Sequence, residues 1–285
     1  MTPLVVAAVG LAAVTHAAWN ALAHRIADKL VGFTLIAGGG ALIGVVAMPL
    51  VPVPAAGAWP YLLGSAVLHV LYYLLLMRSF RLGDFGQAYP IARGTAPLVV
   101  TVLAAVLAHE VPGGWAMAGV VVSCLGLSGV ALWGLRGRRP DPAAIGAALA
   151  TGLAIAAYTV VDGLGVRAAG PAAGAAAGYT AYLMALGGLG VPLYALSRLR
   201  GGAVAALRPH AALGLLGAGL SVTAYGLVLW AQTRAPMAPV AALRESSIIV
   251  GAAIGAVLFK ERFGLPRVVG AVLVVLGLGL MLRAG

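Results

Sequence analysis

The chain has 285 residues, of which 62% are hydrophobic and only 9% charged, with a mean hydropathy of +1.04. That balance leaves too little polar surface to cover a soluble globule of this size, so lipid is the expected solvent. In a soluble chain the net charge of +11 would suggest nucleic acid as a partner; here it reports how the chain sits in a membrane, and no nucleic-acid role is expected.

Apolar runs of about 20 residues, enough to cross a bilayer as helix, follow one another almost from end to end. Ten spans are predicted, at 3–24, 30–51, 59–80, 86–108, 113–135, 143–166, 172–196, 209–231, 236–259 and 265–283. The two-residue alternation of barrel strands is missing, which makes the class all-α integral membrane. Met1-Thr2-Pro3 lacks a positive leader region, so the first run reads as a helix and not as a cleaved signal.

Thirteen lysines and arginines fall in the connections after spans 1, 3, 5, 7 and 9, and three, Arg167, Arg234 and Arg283, fall on the other side. Short cationic loops stay in the cytoplasm, which places both termini outside the cytoplasmic (inner) membrane. Cys124 has no second cysteine to pair with and reads as a small buried residue.

Laid over 240–277 at an offset of 151, residues 89–126 match Arg93 with Arg244, Glu110 with Glu261, Gly119 with Gly270, and Gly126 with Gly277. Two repeats, 1–136 and 140–285, with five helices each are therefore expected. An odd number of helices per repeat makes the second enter the membrane inverted. Glycines four apart, Gly40/Gly44, Gly174/Gly178 and Gly251/Gly255, permit close helix approach.

Arg93 and Arg244 lie about 10 and 12 Å along spans 4 and 9 from opposite membrane faces. An arginine at that depth costs about 2.5–3.5 kcal/mol, so it normally faces protein or a watery interior and acts there. A guanidinium fork suits a carboxylate or phosphate; the alternative is that carbonyls or an acid pin each arginine to lock helices together. Glu245 points about 100° away from Arg244, so its expected partner is Arg93 or a coupling proton.

In span 1, His16, Trp19 and Asn20 share one face. His69, Tyr72 and Tyr73 repeat that spacing in span 3, and Tyr89, Tyr158 and Tyr225 add further aromatic groups. Such walls fit an organic substrate, or else supply packing contacts between helices. His16, like Glu245, is a candidate proton carrier. Asp162, within a turn of the predicted end of span 6, reads as an interfacial acid paired with Arg167, and Glu110 and Glu261 as helix-end hydrogen-bonding groups; all three are left outside the site. Prolines 90, 97, 236 and 239 in or beside spans 4 and 9 can kink these helices. The histidines are too scattered for a metal site, and no cofactor is expected.

Tyr89-Pro-Ile-Ala-Arg-Gly-Thr-Ala-Pro97, His109-Glu110, Leu243-Arg-Glu-Ser-Ser247, Lys260-Glu261-Arg262 and His16-Ala-Ala-Trp-Asn20 together resemble the EamA-type members of the drug/metabolite transporter superfamily. The resemblance spans the whole chain and implies a secondary carrier with a cavity between the repeats, working by alternating access. Better-known relatives keep both termini in the cytoplasm, the reverse of what the loop charges here say. An anionic or amino-acid-like metabolite is the expected cargo, with protons a possible partner and a monomer or homodimer the expected state. The competing reading is a proton-coupled exporter of drugs or other cations, which would want a dominant deep acid. An enzyme is not expected, since neither Gly-x-Ser-x-Gly nor His-Glu-x-x-His occurs.

Overall fold

The computed structural model describes residues 1–82, 85–134, 141–199, 201–250 and 265–283. Among these residues every regular element is helical. The helices are α1 (Pro3–Arg25), α2 (Lys29–Ala47), α3 (Trp59–Leu82), α4 (Phe85–Leu107), α5 (Gly114–Gly134), α6 (Pro142–Ala168), α7 (Ala175–Gly187), α8 (Gly190–Leu199), α9 (Ala203–Leu207), α10 (Ala211–Gln232), α11 (Met237–Arg244) and α12 (Leu265–Arg283).

Local chemistry sets several of the starts. Thr2 caps α1 by accepting from the Val5 amide at 3.4 Å, and Pro3 needs no amide of its own in the first turn. Asp28 accepts from Leu30 and Val31 at the start of α2, and Asp141 accepts from Ala143 at the start of α6, again with a proline beside the cap. Leucine and valine side chains cover the outside of the bundle, among them Leu11, Val67, Val102, Leu153, Leu215 and Val275, as a lipid-facing surface requires.

Two predicted spans are not single rods. Span 7 breaks at Gly188–Leu189 between α7 and α8. There the Gly188 backbone passes so close to α2 that an added Cβ would sit 2.5 Å from the Ala37 carbonyl oxygen. Span 9 breaks at Glu245–Ser246, where the amides of both residues donate three residues back, to Ala242 and Leu243 at 3.1 Å each; helix resumes at Ser247. The first break leaves the apolar run unaltered, so hydropathy could not locate it; the second falls within the polar stretch Arg244-Glu-Ser-Ser247.

The small residues work at chosen crossings. On Gly44 a Cβ would lie 2.5 Å from the Ala181 carbonyl, which lets α2 lie against α7. Helices α5 and α12 meet through two glycine pairs: Gly119 against the Gly277 carbonyl, and Gly126 against the Gly270 carbonyl, where a Cβ would lie at 2.8 Å. These are the glycines that the offset of 151 aligns, now paired crosswise. Gly251 and Gly255 lie outside the described residues.

Candidate functional site

Arg93 and Arg244 are both buried, at 3% and 4% exposure, but their surroundings differ. The Arg93 Nε lies 2.8 Å from the Glu245 carboxylate, an ion pair, and its terminal nitrogen donates to Ser247 Oγ at 3.1 Å. The tightened turn at 245–246 carries that acid and opens the short segment bearing the serine, so Glu245 and Ser247 of span 9 both hold the α4 arginine. On the α4 side, Pro97 has no amide to return to the Arg93 carbonyl. Both arginine helices thus lose backbone regularity within a turn of the guanidinium.

Arg244 has no such enclosure. Its Nε is buried without a hydrogen-bond partner, and among the described residues no acid lies within ion-pair distance of it. It remains close enough for its charge to act on His16, Tyr225 and Glu245. A guanidinium at membrane depth with no counter-ion among the described residues is costly, because no opposite charge offsets its lost hydration.

The aromatic residues fall into linked groups. His69 stacks on Tyr158 with ring centroids 4.3 Å apart and meets Tyr225 edge-on at 5.5 Å. Tyr72 touches Tyr158 at 5.5 Å and Tyr73 at 5.1 Å, and Tyr73 leans on Phe33. His69 and Tyr73 also face a recess between α2, α3, α7 and α10, about 360 Å³ of empty space including its open mouth. In α1, the Trp19 indole donates to His16 Nδ1 at 3.2 Å, while the Asn20 amide donates to the His16 carbonyl at 2.8 Å. That bond ties the Asn20 side chain to its own helix backbone. The side chain of Tyr89 lies outside the described residues, as does Glu261.

Asp162 corrects the sequence reading. It is fully buried, and it does not pair with Arg167. Tyr179 donates to one carboxylate oxygen at 2.9 Å and Tyr225 to the other through a short hydrogen bond. Ser65 and His69, themselves bonded at 3.1 Å, lie on the same side. The error came from depth: α6 runs on past the predicted end, and tyrosines from two other helices reach the acid. Arg167 instead meets Glu110 at 2.5 Å and donates to the carbonyls of Gln232 and Ala235. The other Glu110 oxygen accepts from the Met237 amide at 2.8 Å, which places a carboxylate at the start of α11. That is the helix-end role read from sequence.

The sequence matches the EamA-like transporter family over residues 3–132 and 142–283. The chain belongs to that family. No curated protein matches it significantly. A crystal structure, described only as that of a protein, is similar over 98% of this chain and 99% of its own, with a TM-score of 0.72 and 16% identity, a likeness that carries the fold alone. An EamA-like protein is a multi-pass membrane transporter of small molecules, and the described residues include six helices long and apolar enough to cross a membrane, with shorter apolar helices at Ile91–Leu107, Gly114–Gly129 and Val268–Arg283.

Proposed function

We propose that this EamA-like protein is a secondary carrier of the cytoplasmic membrane that moves a small organic metabolite bearing a carboxylate or similar anionic group, by alternating access between its two repeats. One observation carries the reading: Arg244 is a buried guanidinium with no anion of its own among the described residues. A substrate carboxylate would supply the missing charge and accept from the fork in a bidentate way. His16, Trp19, His69 and the tyrosines 72, 73, 158 and 225 would supply aromatic walls around that anchor, with Asn20 a polar group beside them.

Arg93 has a different task. Held by Glu245, it is a reserve cation, and a proton taken up by Glu245 would dissolve the ion pair and release a second guanidinium to the substrate. In this scheme Glu245 couples proton and substrate, while His16, whose Nδ1 is engaged by Trp19, is the secondary candidate. A carrier of lipophilic cations would gain nothing from the buried positive charge of Arg244.

The test is a thermal-shift screen of the purified protein against amino acids, organic acids, phosphonates and lipophilic cations, since a ligand that prefers the native state raises its melting point. Carboxylates or phosphonates should stabilise the wild type, and the Arg244→Gln protein should lose the effect while staying folded. Stabilisation by lipophilic cations alone would sink the anion reading.

A further inference from the structure

One carboxylate joins the two repeats where α4 ends. Glu110, just past α4, receives Arg167 from the end of α6 on one oxygen at 2.5 Å and the Met237 amide from the start of α11 on the other at 2.8 Å. The same guanidinium donates to the carbonyls of Gln232 at 2.8 Å and Ala235 at 3.1 Å, which lie at the end of α10 and in the turn to α11. All of its nitrogens are thus engaged, and the ends of α4, α6 and α10 and the start of α11 are tied at one point. Reaching that point strains the backbone. His109 has a φ of 55°, a left-handed conformation that a side chain disfavours, and the Glu110 amide returns from there to the Ala104 carbonyl at 3.1 Å. Residues other than glycine held in this region cluster at clamps and switches.

An apolar seal lies under the tie. Val100 and Ala104 of α4, Val160 of α6, and Met237, Ala238 and Ala241 of α11 form one buried cluster, and Ala104 stands less than two turns before Glu110. Met237 belongs to both layers. Glu110 binds its amide, and its side chain fills the space over Gly163, where a Cβ would sit 2.7 Å from the sulfur. Helices of both repeats are therefore in dry contact at this end of the bundle. The tie itself is within reach of water, with Arg167 30% and Glu110 20% exposed, and an ion pair that water can compete for is weak enough to break and re-form.

We propose that Glu110 and Arg167 form an ionic latch that holds this end of the bundle closed over the apolar seal, and that its release opens the passage on the membrane face bearing Arg167. This rests on the alternating-access reading and adds to it a contact that sets the balance between the two states. The latch residues touch no cargo. They act by keeping α11 of the second repeat against α4 of the first.

Thiol labelling of the full-length protein in micelles tests it, and needs neither a known cargo nor a known orientation. With Cys124, the one cysteine of the chain, replaced by alanine, a single cysteine is placed at Ala104 in the seal or at Ala23, which is buried in the separate cluster around Trp19 and Leu76. Labelling by a sulfonated maleimide tracks the open fraction when closing outpaces the reaction. Ala104→Cys should react slowly in this parent and at least about fivefold faster with Glu110→Gln or Arg167→Gln, while Ala23→Cys stays within about twofold. Combining Glu110→Gln with Arg167→Gln should add no more than about twofold to the quicker single variant, since both remove the same contact. A general loosening of the fold would speed both positions alike. Ala238→Cys repeats the measurement from the second repeat, and Arg167→Gln serves if Glu110→Gln does not fold.

One labelling rate at Ala104→Cys with and without the ion pair, or a parallel rise at Ala23→Cys, overturns the latch. In the first case this end still opens, so alternating access stands and only the latch falls. If neither Ala104→Cys nor Ala238→Cys reacts in any folded variant, this end never opens, and alternating access fails together with the latch.

Discussion

Replacing each buried arginine by methionine should have opposite consequences for stability. At 2.8 Å and an effective permittivity of about 20, the Arg93–Glu245 attraction is about 6 kcal/mol before desolvation. Desolvation offsets much of this, yet removing one partner of a buried pair costs about 3–5 kcal/mol, because the other charge is stranded. Arg93→Met strands Glu245, which is 1% exposed. The melting temperature should fall by roughly 10 °C. Arg244→Met strands nothing, since among the described residues no acid pairs with that guanidinium, and it removes an unmatched charge from the bundle. Its stability should equal or exceed that of the wild type while ligand binding is lost, the signature of a residue kept for function at some cost in stability. Thermal unfolding in micelles, with a double-mutant cycle over Arg93 and Glu245, reads both quantities. The reasoning is refuted if Arg244→Met destabilises as much as Arg93→Met, or if the cycle's coupling energy is below about 0.5 kcal/mol.

Glu110→Ala removes the carboxylate that both receives the Met237 amide and pairs with Arg167, and should cost about 1–2 kcal/mol in thermal unfolding. Adding Arg167→Ala should cost less than the two single losses combined. Gly44→Leu drives a side chain into the α7 backbone and should destabilise by about 3 kcal/mol or more, whereas Gly129→Ala, with nothing within 4 Å of the new Cβ, should stabilise by about 0.5–1 kcal/mol. Temperature scans of the two purified variants check this contrast. A phosphatase reporter fused after Gly285 should be active outside the cell, as the loop charges require; activity of a cytoplasmic reporter at that position would reverse the orientation.

The spans were legible because lipid demands long apolar runs, and any helix that crosses it must be written as one. The deep arginines were legible for the complementary reason, that charge in such runs is rare. Their inequality was not. Whether Glu245 turns toward Arg93 depends on a tightened turn at 245–246, and the polar residues Arg244-Glu-Ser-Ser247 mark the place without giving the backbone geometry. Asp162 was misplaced because its donors, Tyr179 and Tyr225, lie 17 and 63 residues away, and only packing of α7 and α10 against α6 brings them to it. One signal was present: Asp162 occupies nearly the place in its repeat that Asn20 holds in the first. Glu110 was read correctly as a helix-end group, yet the helix it serves is α11, in the other repeat.

The crosswise glycine seam between α5 and α12 is reciprocal: each helix presents to its partner the same kind of surface that it receives. Such self-complementary contacts are what two copies of one polypeptide make when they dimerise about a twofold axis. A five-helix half of this chain would therefore carry both sides of its own joint. Under the proposed alternating access, material on that axis would be displaced least, and the seam would be the pivot of the exchange.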